Sequence, residues 1–183
     1  MAIGKKLNPT LRAFIERQHV FFVATAAPGG RVNVSPKGMS TLSILGDTQI
    51  RWLNLSGSGN ETAAHLRELN RMTLMFCSFD DNPMILRVYG QATTSHPRDA
   101  GWEEKAAGFP TLAGSRQIFD LRIDLVQTSC GSGVPIMRLE KSRGEEDLVP
   151  FYEQMGQEGV IEYWKRRNTV SIDGLATGIF DGD

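Results

Sequence analysis

The stretch Ile118-Phe119-Asp120-Leu121-Arg122-Ile123-Asp124-Leu125-Val126 determines the fold class of this 183-residue chain. Its apolar residues alternate with Asp120, Arg122 and Asp124. Because successive side chains of a strand point to opposite faces, this pattern predicts a strand with one face in a core and the other in water. Half-solvated strands of this kind are typical of antiparallel sheets. The stretch therefore predicts an antiparallel β-sheet.

Shorter β-forming runs precede this strand, and turn-forming residues separate them. The runs on either side of Pro28-Gly29-Gly30, and those on either side of Gly46-Asp47, predict two hairpins. Six or seven strands in all, with short helices inserted and appended, predict a mainly β (α+β) fold built on a small antiparallel barrel. The regular alternation of strands and helices that a doubly wound sheet requires is absent, which argues against a Rossmann fold.

The chain length predicts a single domain over residues 1–183 that is large enough for a real hydrophobic core. We expect the barrel core over about residues 19–130 and a C-terminal helical extension over about residues 144–183, broken near Gly156. The net charge of −1 argues against nucleic acid or an anionic membrane surface as a partner. No apolar run could span a bilayer, and no signal peptide is evident, so we expect a cytoplasmic protein.

A glycine-rich turn, Ser56-Gly57-Ser58-Gly59, follows an apolar strand and precedes the helix that starts near Asn60-Glu61-Thr62. Unpaired amides and a partial positive charge at such a helix start suit a phosphate. The same residues also fit a capping box, in which Ser58 and Glu61 satisfy the amides of their own helix. The pattern leaves both interpretations open.

The order of several segments resembles the pyridoxamine 5′-phosphate oxidase-like family, the FMN-binding split β-barrels. Val32-Asn33-Val34-Ser35-Pro36-Lys37-Gly38 is followed by the glycine turn and helix start, then by Met72-Thr73-Leu74-Met75-Phe76 and Ile85-Leu86-Arg87-Val88-Tyr89-Gly90. The loop from Cys130 to Pro135 and residues 168–174 resemble a poorly characterised subgroup of that superfamily. The resemblance implies an antiparallel split β-barrel with peripheral and C-terminal helices. It further implies a homodimer with FMN at the subunit interface and a small-molecule substrate.

The resemblance also implies a set of cofactor-binding residues. The strand ending at Lys37 is expected to run along the flavin, with this lysine helping to hold it. Arg87 is a second candidate for neutralising charge, although such an arginine also fits a place at the barrel rim. The polar side chains of Asn33, Ser35 and Asn54 fit either the edge of an isoalloxazine or the wet face of their strands. The complete predicted set is Asn33, Val34, Ser35, Pro36, Lys37, Asn54, Ser56, Gly59, Asn60, Glu61, Thr62 and Arg87.

Glu61 departs from the family pattern, because characterised members carry a basic residue there that pairs with the FMN phosphate. A carboxylate close to a phosphate dianion is repulsive. Either Glu61 points away while Thr62 and backbone amides hold the phosphate, or phosphate binding is weakened.

Two functions follow from these residues. The first is an FMN-dependent oxidoreductase, in which the protein mainly binds and orients the flavin, so that no side chain is predicted as an obligate acid or base. The alternative is a non-catalytic or differently loaded binding module that holds flavin, deazaflavin or haem on the same barrel. The three histidines and two cysteines show no metal-ligand spacing, and no metal site is predicted.

Overall fold

The computed structural model describes residues 1–182; Asp183, the last residue of the predicted C-terminal extension, lies outside the described residues. These residues form eight strands and four α-helices, joined by loops and turns. The strands are β1 (Ala2–Gly4), β2 (Phe21–Thr25), β3 (Asn33–Lys37), β4 (Leu42–Gly46), β5 (Gln49–Leu55), β6 (Arg71–Cys77), β7 (Ile85–Ser95) and β8 (Ser115–Ser129). The helices are α1 (Pro9–Glu16), α2 (Glu61–Glu68), α3 (Trp102–Ala106) and α4 (Val149–Arg167).

All strand pairs are antiparallel and form one sheet in the order β3-β2-β6-β7-β8-β5-β4, with β1 added alongside β8. The predicted strand over residues 118–126 is confirmed as part of β8, which pairs with three other strands. The sheet curls without closing. Its two edges, β3 and β4, are consecutive in the chain and connected by residues 38–41. The prediction of an antiparallel split β-barrel is confirmed.

The barrel interior is filled by aromatic and branched side chains from alternate strand positions. The Trp52 and Phe119 rings stack with their centroids 4.5 Å apart, and Phe21 contacts both Trp52 and Phe76. Trp52 and Phe119 face each other because β5 and β8 pair in register at these two residues. A smaller cluster of Leu53, Trp102 and Ile118 lies on the other face of the sheet.

The local predictions hold better for strands than for helices. Helix α1 begins after Asn8, whose Oδ1 atom accepts the amide of Leu11 at 2.9 Å, as an N-cap asparagine should. Pro97 is a residue type that favours a helix start, but α3 begins only at Trp102, because Gly101 takes a left-handed conformation with φ of 82°. Among the described residues, no helix has the length and apolarity needed to cross a membrane.

The C-terminal part of the chain returns to the barrel. A wide helical turn (Gly144–Leu148) leads into α4, which is interrupted at Gly156 with φ of 68°, where the sequence predicted a break. Residues 168–182, here called the tail, then run over the start of α2. Asp173 pairs with Arg31 and Asp181 pairs with Arg67. The tail also contacts the glycine turn, since Nδ2 of Asn168 donates to the carbonyl oxygen of Gly57 at 2.9 Å.

Candidate functional site

Alternate side chains of β3 face the barrel interior. Asn33, Ser35 and Lys37 lie directly opposite Thr25, Val23 and Phe21 of β2, which are buried. Opposite residues of an antiparallel pair share a face, so these three side chains point inward.

The other predicted residues of this strand, Val34 and Pro36, therefore point outward. Both are exposed, and Val34 is 60% exposed. The five predicted β3 residues are thus divided between the two faces of the sheet, and only the polar ones face the interior.

Lys37 is a half-buried cation at the mouth of the barrel. Its Nζ atom donates to Oδ1 of Asn54 at 3.3 Å and lies 5.5 Å from the centroid of the Trp52 ring. Burial, together with the positive charge of Arg116, lowers the pKa of Lys37 from 10.5 to about 8. The ammonium is therefore held in a place where positive charge is disfavoured unless an anion is present.

Arg116 is the residue that sequence reasoning missed. Its side chain is buried, with Nη1 donating to the carbonyl oxygen of Gly59 at 3.0 Å and Nε without a partner. Burial lowers its pKa from 12.5 to about 10. Within residues 1–182, neither Arg116 nor Lys37 has a carboxylate at ion-pair distance. Two neighbouring cations, one half-buried and one buried, without a counter-charge are chemically suited to bind an anion.

The glycine turn places free amides beside these cations. Helix α2 begins after Asn60, whose side chain does not cap it. The Nδ2 atom of Asn60 instead donates to the carbonyl oxygen of Asn168 in the tail, at 3.2 Å. The capping-box interpretation is wrong, because neither Ser58 nor Glu61 bonds to the amides at the start of this helix. The N-terminus of α2 keeps its partial positive charge for another acceptor.

Glu61 faces the tail rather than its own helix. Both of its carboxylate oxygens accept the backbone N–H of Ile172, each at 3.1 Å. Glu61 thus binds the tail through its carboxylate. The family pattern has a basic residue at this position.

Ser56 is committed to internal contacts. Its Oγ atom donates to the carbonyl oxygen of Gly114 and accepts Nε1–H of Trp164, both at 2.7 Å. It connects α4 to the turn, and its hydroxyl proton is donated to the Gly114 carbonyl oxygen. Ser56 is therefore placed to shape the turn, whereas Gly59 lies at its exposed tip.

A second polar cluster joins β3 to α2. Asn33 Nδ2 lies 3.2 Å from both Thr25 Oγ1 and Thr62 Oγ1, and Thr25 Oγ1 lies 3.1 Å from Nδ1 of His65. The Nε2 atom of His65 is buried and has no hydrogen-bond partner among the residues that the structure describes. Asn33 and Thr62, both predicted site residues, are thus in contact, and this contact fixes the start of α2 against the edge strand.

Arg87 lies apart from the other predicted residues. Its guanidinium donates to Oγ of Ser129 at 3.1 Å. Arg87 is opposite Met75, and Met75 is opposite Phe22, so all three share the outer face of the sheet. Lys37 belongs to the inner face, and the sequence could not show this because only strand register assigns the two residues to different faces.

The sequence profile described as pyridoxamine 5′-phosphate oxidase matches residues 7–130. The chain is 36% identical over 188 aligned residues to the pyridoxamine 5′-phosphate oxidase family protein ustO of Aspergillus flavus, covering 93% of this chain and 75% of that protein.

Two solved structures show the same fold. HupZ of Group A Streptococcus is 14% identical with a TM-score of 0.53, covering 72% of this chain and 99% of that one. A pyridoxamine 5′-phosphate oxidase-related, FMN-binding protein of Nostoc punctiforme is 16% identical with a TM-score of 0.50, covering 70% and 87%. From the profile match and the Aspergillus relative, this chain belongs to the pyridoxamine 5′-phosphate oxidase family.

Proposed function

We propose that the protein is an FMN-dependent oxidoreductase that acts on a small molecule as a homodimer, with the cofactor at the subunit interface. The observation that carries this proposal is the pair of cations, half-buried Lys37 and buried Arg116, beside the uncapped start of α2. Membership of the family, and the FMN-binding description of the Nostoc protein, support FMN as the anion.

The residues present fit the phosphate of FMN. A phosphate dianion between Lys37 and Arg116 would offset the repulsion between them and supply a partner for the unpaired Nε atom of Arg116. The first amides of α2 would donate to the remaining phosphate oxygens, as helix N-termini commonly do. Glu61 does not prevent this arrangement, since its carboxylate is directed at Ile172.

Bound FMN would supply hydride acceptance and donation at its N5 atom. The protein's part is binding and orientation. Asn33 and Asn54 line the inner face next to Lys37 and offer amide groups to the polar edge of a flavin ring. The buried Trp52 and Phe119 beneath them close the barrel to water.

The outer face of the sheet supports the homodimer. Val34 is 60% exposed there, and its neighbours Phe22 and Met75 are only half-buried. Apolar side chains exposed together on one face are typical of a surface that another protein covers. A second copy bound here would bury them and would form a cleft along β3 for the cofactor.

The visible absorption spectrum of the purified protein, followed by titrations with FMN and with riboflavin, tests this function. Riboflavin lacks the phosphate, so Lys37→Met and Arg116→Gln should weaken FMN binding about tenfold or more while changing riboflavin binding little, as loss of a charge-assisted bond predicts. Lys5→Met, which removes an exposed lysine, is the control. A colourless protein that binds neither compound would overturn the assignment.

A second function, a cofactor-binding module without turnover, is favoured by the carboxylate of Glu61 at the start of α2. Reduction of the bound flavin distinguishes the oxidoreductase from the binding module. A bound flavin spectrum that bleaches with a reduced nicotinamide cofactor supports the oxidoreductase, whereas a bound flavin that stays oxidised supports the binding module. If FMN does not bind, deazaflavin and haem are the next compounds to titrate.

A further inference from the structure

A line of polar side chains runs from Lys37 along the inner face of the sheet to His96. Asn54 Nδ2 donates to Oε1 of Gln117 at 3.4 Å, and Gln117 Nε2 lies 3.2 Å from Nε2 of His96. Asn54 is 3% exposed, Gln117 is 0% exposed and His96 is 8% exposed. Water is therefore excluded from the middle of the line, and these groups must satisfy one another.

The hydrogen bonds in this line all point the same way. The ammonium of Lys37 donates to Asn54, Asn54 donates to Gln117, and Gln117 donates to His96. A side-chain amide has one donor end and one acceptor end, so turning one amide forces its neighbour to turn. The observed direction requires an unprotonated Nε2 atom on His96, which leaves its proton on Nδ1, 3.7 Å from a carboxylate oxygen of Asp99.

We propose that His96, Gln117 and Asn54 are positioning residues that hold the Lys37 ammonium at the anion site. The anion itself rests on the proposed function, but the line is a property of the chain alone. If Nε2 of His96 carried a proton, it would need the Gln117 oxygen as acceptor. Both amides would then turn, and Asn54 would present its NH₂ group to a cation.

The charged groups near Lys37 and near His96 favour the observed direction of these hydrogen bonds at neutral pH. Burial, and then the positive charge of Arg98, lower the pKa of His96, and Arg67 acts in the same sense. The carboxylates of Asp99 and Asp181 oppose this shift without reversing it. At the other end, Arg116 is the charged group that acts on Lys37. His96 therefore remains neutral while Lys37 is charged.

Competitive acetylation of the ligand-free protein across a pH series, read by mass spectrometry, gives the pKa of Lys37. His96→Phe removes the acceptor at the end of the line, so we expect this pKa to fall by about 0.5–1 unit, a threefold to tenfold change in the charged fraction at fixed pH above the pKa. His96→Gln keeps an acceptor and should restore the value. His19→Phe alters an exposed histidine and is the control. An unchanged pKa in His96→Phe would overturn the proposal.

Nitrogen NMR of the unsubstituted protein gives an independent result that does not depend on the folding of any variant. We expect His96 to be neutral between pH 6.5 and 8, with its proton on Nδ1 and a bare Nε2. A proton on Nε2 in that range would overturn the proposal, because Gln117 would then have to accept rather than donate. Neither experiment contains a flavin, so failure of FMN binding leaves both results interpretable.

Discussion

Replacing Lys37 with methionine should stabilise the protein at neutral pH while it weakens anion binding. Methionine is an unbranched side chain one atom shorter than lysine, and it removes the charge. The shift of the Lys37 pKa from 10.5 to about 8 corresponds to about 3 kcal/mol of differential cost for the charged form. The ammonium is partly exposed, so solvent screens part of this cost, and the lost bond to Asn54 offsets about 1 kcal/mol. We expect a net gain of about 1–2 kcal/mol in the free energy of unfolding at pH 7.

The gain in the free energy of unfolding should decrease as the pH rises. Because the folded pKa of Lys37 is lower than the unfolded one, the unfolded state holds more protons between pH 8 and 10.5. The stability of the unsubstituted protein therefore rises over this interval relative to the variant. The difference between the two proteins should be largest below pH 8 and should disappear near pH 10.5.

Urea unfolding followed by tryptophan fluorescence measures this difference at pH 7, 8.5 and 10.5. The buried Trp52 lies beside Lys37 and reports loss of the barrel core. Lys5→Met is the control, with an expected difference near zero at all three pH values. The reasoning that burial without a counter-charge makes the Lys37 ammonium destabilising would be refuted by either of two results. One is a variant that is less stable at pH 7, and the other is a stability difference that does not change with pH.

Three further substitutions test other contacts of the site and the sheet. Glu61→Gln weakens the acceptor for the amide of Ile172, so hydrogen exchange at that amide should be about threefold to tenfold faster. Trp164→Phe removes the bond to Oγ of Ser56 and should lower the free energy of unfolding by about 1 kcal/mol, measured by urea denaturation. Gly90→Ala would place a methyl group against a carbonyl oxygen of β8, so we expect a loss of about 3 kcal/mol or more, seen as a lower thermal midpoint.

Two of these substitutions, Glu61→Gln and Gly90→Ala, have a matched control on the same helix or strand. Glu68→Gln changes an exposed carboxylate at the other end of α2 and should leave tail exchange unaltered. Gln91→Ala shortens an exposed residue next to Gly90 and should change the thermal midpoint little. Exchange at Ile172 that is equally slow in both glutamate variants would show that Glu61 does not hold the tail. A Gly90→Ala protein as stable as Gln91→Ala would show that the strands can separate without cost.

The fold was largely predictable, because the apolar–polar alternation within a strand can be read from its local sequence. The alternation over residues 118–126 depends only on which side chains face a core, and strand β8 follows it. The three-residue strand β1 was missed, since so short a segment has no period to detect. The start of α3 is not evident from the sequence, because Pro97 suggests an earlier helix start, whereas the turn from His96 to Asp99 is stabilised by a side-chain bond that no propensity reveals.

The candidate site was predictable only in part, because its charges come from distant segments. The alternation of β3 predicts that Lys37 shares a face with Asn33 and Ser35, but only the pairing with β2 shows that this face points inward. Arg116 lies close enough to Tyr152 of α4, 36 positions later in the chain, for the two to interact electrostatically, so its local sequence gave no sign of its environment. A run of three polar residues, Ser115 to Gln117, just before an apolar alternation was the one available signal. The partner of Glu61 was equally hidden, since Ile172 lies 111 residues away.

The central position of β8 has a consequence for the order of assembly. Strands β5 and β7 each pair with β8 and not with each other, so both keep an open edge until residues 115–129 have been synthesised. Open strand edges are sites of aggregation in partly made chains. We therefore expect slow folding, governed by contacts of large sequence separation. On the ribosome, the barrel should remain dependent on chaperones until this late strand has emerged and joined its two halves.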